Sequence, residues 1–255
     1  MIDTHTHLYL RAFPDGGVSA VEKALEEGVS YLIFPNVDAT TIEPMMKLHS
    51  KFPENTSVAL ALHPTELGDD WETVIDDMEK ELEKGGYVAI GETGIDLYWD
   101  KENLENQQKA FERHLLIAQR LGLPVIIHSR DALDETLEVI KKVNPTVPLL
   151  FHSFTAGPEA VRKIREVCDA WFGINGVVTF KNAQELRDAL PEIGIERIVL
   201  ETDSPYLAPV PYRGKRNESA YLKHILKAVS DTLKLSERET EKITDSNAKK
   251  IFRIA

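Results

Sequence analysis

Short apolar runs recur along the chain with polar, helix-like stretches between them. The runs are MIDTH at the start, YLIFPN from Tyr31, VALALHP from Val58, YVAIGE from Tyr87, PVIIHS from Pro124, PLLFHS from Pro148, WFGINGV from Trp171 and RIVLETD from Arg197. Each is rich in Val, Ile and Leu and apolar on both faces, the pattern of a parallel strand covered on both sides. The stretches between them change to a helical period. VSAVEKALEEG sets Val18, Val21 and Leu25 on one face and stops at Gly28. NQQKAFERHLLIAQRLG carries Phe111, Leu115, Ala118 and Leu121 along one stripe and ends at Gly122. DALDETLEVIKKV starts at Asp131, a predicted cap, and ends basic. After the eighth run come two more helices, SAYLKHILKAVSDTL and SERETEKITDSNAKKIF, the second opened by a capping-box pair, Ser236 and Glu239. Eight strands alternating with helices, and no Gly-, Pro- or Ser-rich linker, predict one (β/α)₈ barrel, a TIM barrel, over residues 1–255; an open doubly wound sheet is the competing arrangement.

Composition narrows this picture without changing it. At 255 residues, 42% hydrophobic and 28% charged, the chain has the balance of a soluble globular protein. That length buries roughly 70–75% of the unfolded surface, enough for a core without cross-links. A lone cysteine, Cys168, rules out an intrachain disulfide and fits a reducing cytoplasm. No basic-then-apolar leader or run of membrane-spanning length is visible, so no membrane association is expected. A formal net charge of −12 means that any polyanion is held by local charge, not by the overall field.

Chemistry concentrates where the predicted strands stop. His5 and His7 end the first, His63 the third, Glu92 the fourth, His128 the fifth, His152 the sixth and Asp203 the eighth. In such barrels the active site lies at the carboxyl ends of the strands. Residues i and i+2 of a strand share a face, so His5 and His7 aim together and Thr6 points away. Imidazoles joined by carboxylates suit divalent cations. Six ligands exceed the need of one ion. The expected arrangement is two ions: His5, His7, Glu92 and Asp203 hold the first, and Glu92, His128 and His152 the second, with Glu92 bridging. Such a centre hydrolyses an ester, phosphoester or amide, and Asp203 is the expected proton acceptor. Zn, Mn, Ni, Co and Mg all remain open as the metal.

The motifs IDTHTHL, ALHP, GETGID, LPVIIHSRDA, LLFHSFTAG, VLETDSPYLAP, RGKRNESAYL and the terminal NAKKIF, in this order over residues 2–252, resemble those of the TatD-like metal-dependent hydrolases, a branch of the amidohydrolase superfamily. The resemblance implies a (β/α)₈ barrel, metal ligands at His5, His7, Glu92, His128, His152 and Asp203, and divalent-metal-dependent deoxyribonuclease activity, in several members 3′-to-5′ exonucleolytic. Ser153, Thr155 and Ser219 depart from the usual motifs and bear on substrate detail, not on the ligands.

Around these ligands, His63 is expected to bind substrate or steer water. Arg130 is a phosphate contact or the ion-pair partner of Asp131. Arg213, Lys215 and Arg216 form a basic loop after the last strand, in which Arg213 and Arg216 are the expected substrate contacts. Tyr206 and Phe154 are candidates for base stacking. His49, His114 and His224 read as structural. The expected activity is thus hydrolysis of DNA. Hydrolysis of a small-molecule ester or amide, or of a D-aminoacyl-tRNA ester, is the alternative, and a metal-binding interaction module without turnover is a third reading. No obligate protein partner is implied.

Overall fold

The computed structural model describes residues 1–254. Eight strands run in chain order: β1 (Ile2–Asp3), β2 (Tyr31–Pro35), β3 (Thr56–Ala59), β4 (Tyr87–Asp96), β5 (Val125–Arg130), β6 (Leu149–Phe151), β7 (Ala170–Ile174) and β8 (Ile198–Leu200). Each pairs in parallel with the next. The ring closes between its ends: Thr4 N donates to Leu200 O at 3.0 Å and Thr6 bridges Ser204. Asp3 reinforces the seam, accepting from Thr202 N at 2.9 Å and Thr202 Oγ1 at 2.7 Å. This is the (β/α)₈ barrel expected from the alternation.

Nine α-helices among the described residues cover it: α1 (Val18–Glu26), α2 (Ile42–His49), α3 (Trp71–Glu83), α4 (Leu104–Leu121), α5 (Leu133–Val143), α6 (Pro158–Val167), α7 (Gln184–Ile193), α8 (Leu222–Leu233) and α9 (Glu237–Phe252). The stripe on α4 is buried at Phe111, Leu115 and Ala118, and Gly122 ends the helix at φ 68°. Each large apolar side chain so buried contributes roughly 1.5–3 kcal/mol. Ser236 caps α9, accepting from Glu239 N at 3.2 Å. The predicted cap at Asp131 is not formed. Asp131 lies at φ 53°, and α5 starts after Ala132 without a side-chain cap.

One residue from every strand (Ile2, Ile33, Ala59, Ala89, Ile126, Leu150, Trp171 and Val199) meets Ala248, Ile251 and Phe252 of α9 in a separate apolar cluster. The last helix thereby floors the barrel. Period 2 then sets what stands above that floor. Two residues on from Ile126, Leu150, Trp171 and Val199 come His128, His152, Gly173 and Glu201, on the same inward face. A polar centre thus follows from continuing four apolar strands by one pleat. No helix among the described residues is long and apolar enough to cross a membrane.

Candidate metal centre

All six expected ligands converge at the carboxyl ends of the strands, and His63 joins them. Glu92 stands in the middle. Its Oε2 lies 3.1 Å from His5 Nε2 and 3.6 Å from His7 Nε2. Its Oε1 lies 2.6 Å from His152 Nε2, 2.8 Å from His128 Nδ1 and 3.4 Å from His63 Nε2. Asp203 Oδ1 completes the first side, 3.8 Å from His5 Nε2 and 3.6 Å from His7 Nε2. The β1 ladder stops at Asp3, yet the alternation carries on: the Nε2 atoms of His5 and His7 are 3.0 Å apart, and Thr6 turns away to accept from Ser219 Oγ at 3.0 Å.

A break in the β4–β5 register between Ile90 and Thr93 delivers Glu92 to this position. Gly94 allows the close approach that follows. It sits at φ 145°, and a Cβ there would lie 1.9 Å from His128 O.

Hydrogen bonds on the far side of each ring decide what it presents to the centre. Tyr9 OH donates to Pro35 O, so His7 Nδ1 donates to the Tyr9 oxygen at 2.9 Å and Nε2 faces the centre with its lone pair. His128 lies between two acceptors, Glu92 on Nδ1 and Asp96 Oδ2 on Nε2, the latter at 2.9 Å. His63 is different: Thr65 N donates to its Nδ1 at 3.2 Å, so Nε2 carries the proton and presents a donor.

Charge follows from the same contacts. Burial lowers His5 to about 4 and His7 to about 3, so both are neutral at pH 7. Burial opposes charge on His128 too, but its two carboxylate partners prevail and lift it to about 9. Burial would raise Glu92, yet the surrounding imidazoles, His152 foremost, hold it well below the usual range. Burial first, and then Glu92, push Asp203 well above that range.

The donor set fits divalent cations. Neutral imidazoles and carboxylates turn inward in a buried space, and the His128 proton occupies a place where a cation would exchange with it. Three ligand groupings, His5–His7–Glu92, His63–Glu92–His128 and His5–His152–Glu201, each bring their atoms within 4.8 Å of one another.

A cavity of about 700 Å³ opens over this centre, lined among others by Arg130, Trp99, Tyr206 and Leu207. Arg130 is not paired with Asp131; its guanidinium lies 4.0 Å from the Tyr98 ring. Tyr206 is 55% exposed on the cavity rim. Two expected contacts lie elsewhere. Arg213 stacks on Phe180 at 4.4 Å, and Arg216 stacks on Phe13 at 4.5 Å while donating to Ala12 O and Glu218, so neither lines the cavity. Asn217 anchors the end of the basic loop, donating to Thr202 O at 2.7 Å and Tyr206 O at 2.6 Å. Phe154 is buried edge-on against Phe172 and unavailable for stacking.

Three participants escaped the sequence reading. Asp96 ends the motif GETGID; the apolar run stops at Glu92, whereas β4 continues four residues further. Glu201 stands two residues before Asp203, its carboxylate fully buried. Trp99 carries no motif signal and is 69% exposed beside the cavity.

Comparison with known proteins agrees with this geometry. The family profile described as TatD related DNase matches residues 2–253. The uncharacterized metal-dependent hydrolase YabD of Bacillus subtilis (strain 168) is 31% identical over 255 residues, covering 100% of this chain and 99% of its own. The uncharacterized metal-dependent hydrolase YcfH of Escherichia coli (strain K12) is 31% identical over 261 residues, covering 100% and 96%. Among solved structures, the TatD homolog YJJV from Escherichia coli K12 superimposes with a TM-score of 0.91 at 23% identity, covering 100% of this chain and 98% of its own. Ordered motifs, an eight-stranded barrel and a histidine–carboxylate cluster at its mouth, matched over nearly the full length, identify the chain as a metal-dependent hydrolase of the TatD family.

Proposed function

We propose that the protein hydrolyses phosphodiester bonds of DNA, working from a 3′ end, at a centre of two divalent cations. His5, His7, Glu92 and Asp203 would hold one cation, and Glu92, His128 and His152 the other. The observation that carries this reading is the central carboxylate: one Glu92 oxygen faces His5 and His7, the other faces His128 and His152. Bound cations supply Lewis acidity, which polarises the scissile ester and makes water a nucleophile near neutral pH.

The chain's own residues supply the rest. Asp203, whose Oδ1 faces His5 and His7 at the centre, takes the proton of the attacking water. His63 donates through Nε2 to a non-bridging phosphate oxygen, the role its Thr65 bond leaves open. Arg130 and Tyr206 line the cavity and contact the polynucleotide, Arg130 through phosphate and Tyr206 through a base. A local cationic group matters here, because the net charge of −12 repels the substrate at long range.

The test is incubation of 5′-labelled single-stranded and duplex DNA with the protein and Mg²⁺, Mn²⁺ or Zn²⁺. The expected result is a ladder of products shortened from the 3′ end, reduced on the order of 10²–10⁴-fold in Asp203→Asn. Intact DNA alongside rapid turnover of aryl or aminoacyl esters would refute the nuclease reading. Intact DNA and esters despite tight metal uptake would refute catalysis itself.

A further inference from the structure

Buried side-chain atoms rarely lack a hydrogen-bond partner, and each exception calls for an account. Three exceptions in this protein concern one spot: His5 Nδ1, His152 Nδ1 and Glu201 Oε2. His5 and His152 stack face to face, ring centroids 4.0 Å apart. Ring nitrogens of both lie within 4.8 Å of a Glu201 carboxylate oxygen. The Nε2 atom of each already faces Glu92, which leaves Nδ1 as the free nitrogen on the other side. His152 Nδ1 is 3.7 Å from Glu201 Oε1, so a movement of about 0.7 Å brings it to ordinary hydrogen-bond length.

The surroundings are built to receive this carboxylate. Gly173 on β7 leaves the space it occupies, since a Cβ there would lie 2.1 Å from Glu201 Oε2. Ser153, at φ 48°, turns its backbone N–H onto Glu201 Oε1. Asn175 Nδ2 in turn donates to Ser153 Oγ at 2.6 Å. Of the remaining rings, His7 has Tyr9 and Pro35 behind it and His128 has Asp96. His5 and His152 have no hydrogen-bond partner behind them, and Glu201 is the carboxylate that stands near both.

We propose that Glu201 is a positioning residue for both, accepting from their Nδ1–H groups and so directing their Nε2 lone pairs toward the proposed cation positions beside Glu92. Because His5 belongs to one proposed cation position and His152 to the other, one carboxylate orients a ligand of each. Partners behind a ligand imidazole fix its tautomer and raise its basicity, and their loss typically costs 10–100-fold in metal affinity. The inference rests on the two-cation reading above.

The test uses ¹⁵N-histidine-labelled full-length protein titrated with Zn²⁺, for the wild type and Glu201→Gln. In the zinc-loaded wild type, His5 and His152 should each show a slowly exchanging, downfield Nδ1 proton. In Glu201→Gln those two signals should move upfield and exchange faster, and the zinc dissociation constants should rise 10–100-fold, while the ring signals of His7 and His128 stay in place. Unchanged His5 and His152 signals in a variant that binds zinc like the wild type would overturn the positioning role alone. A wild type that takes up no zinc would overturn the metal reading beneath it. Should Glu201→Gln fail to fold, the wild-type spectrum still decides: no protected Nδ1 proton on His5 and His152 in the zinc-loaded form refutes the proposal.

Discussion

His114 on α4 is buried between the two strand ends that carry His63 and Glu92. Its Nδ1 is 2.8 Å from Thr93 Oγ1, and Leu62 N donates to its Nε2 at 3.5 Å. Burial, with a smaller contribution from Arg113, lowers it from 6.5 to about 3. In the unfolded chain the imidazole takes up a proton below 6.5; in the folded protein it does not until about 3. The unfolded state therefore binds more protons between these limits, and stability falls as pH falls through that window. At pH 5 the gap below 6.5 is 1.5 units, worth about 2 kcal/mol at about 1.36 kcal/mol per unit. This figure hardly depends on the folded value, provided that it stays well below 5. Substitution His114→Gln keeps a donor and an acceptor and removes the titration. Urea unfolding in metal-free buffer at pH 7.5 and pH 5 then gives a double difference: the wild type should lose about 2 kcal/mol more on acidification than the variant. Equal losses would refute the claim that His114 is held neutral.

Other consequences can be checked directly. Glu92→Gln should reduce metal content from two ions per chain to one or none, measured by elemental analysis after dialysis; two retained ions would exclude a bridging role. Asp96→Asn removes the negative charge behind His128 Nε2 and should weaken one class of Mn²⁺ sites about 10–100-fold in calorimetric titration, leaving the other. Arg130→Ala should raise KM for DNA and lower the salt slope of binding by about one, whereas Arg216→Ala, outside the cavity, should change neither; the reverse pattern would place the substrate path over the basic loop.

The sequence by itself determined the alternation of strands and helices and which polar residues stand at the strand ends, while closure of the barrel is seen in the Thr4–Leu200 bond. The first two follow from short-range rules: short apolar runs rich in Val, Ile and Leu and alternating with helical stretches match buried parallel strands, and continuing a strand by one pleat puts His128 and His152 above Ile126 and Leu150. The same periodicity explains why His5 and His7 could be paired from their spacing alone. Tertiary structure decided whatever depends on relations across strands. The break in register that centres Glu92, the acceptor Asp96 behind His128, and the Glu201 carboxylate in the space left by Gly173 all arise between segments distant in sequence. The basic loop shows the difference most clearly. Its charge was legible, but its contacts were not: Asn217 bonds to Thr202 and Tyr206, Arg213 and Arg216 stack on Phe180 and Phe13, and Arg130 lines the cavity. Charge is a property of the residue, whereas the point at which it acts is fixed by the contacts that orient the backbone beneath it.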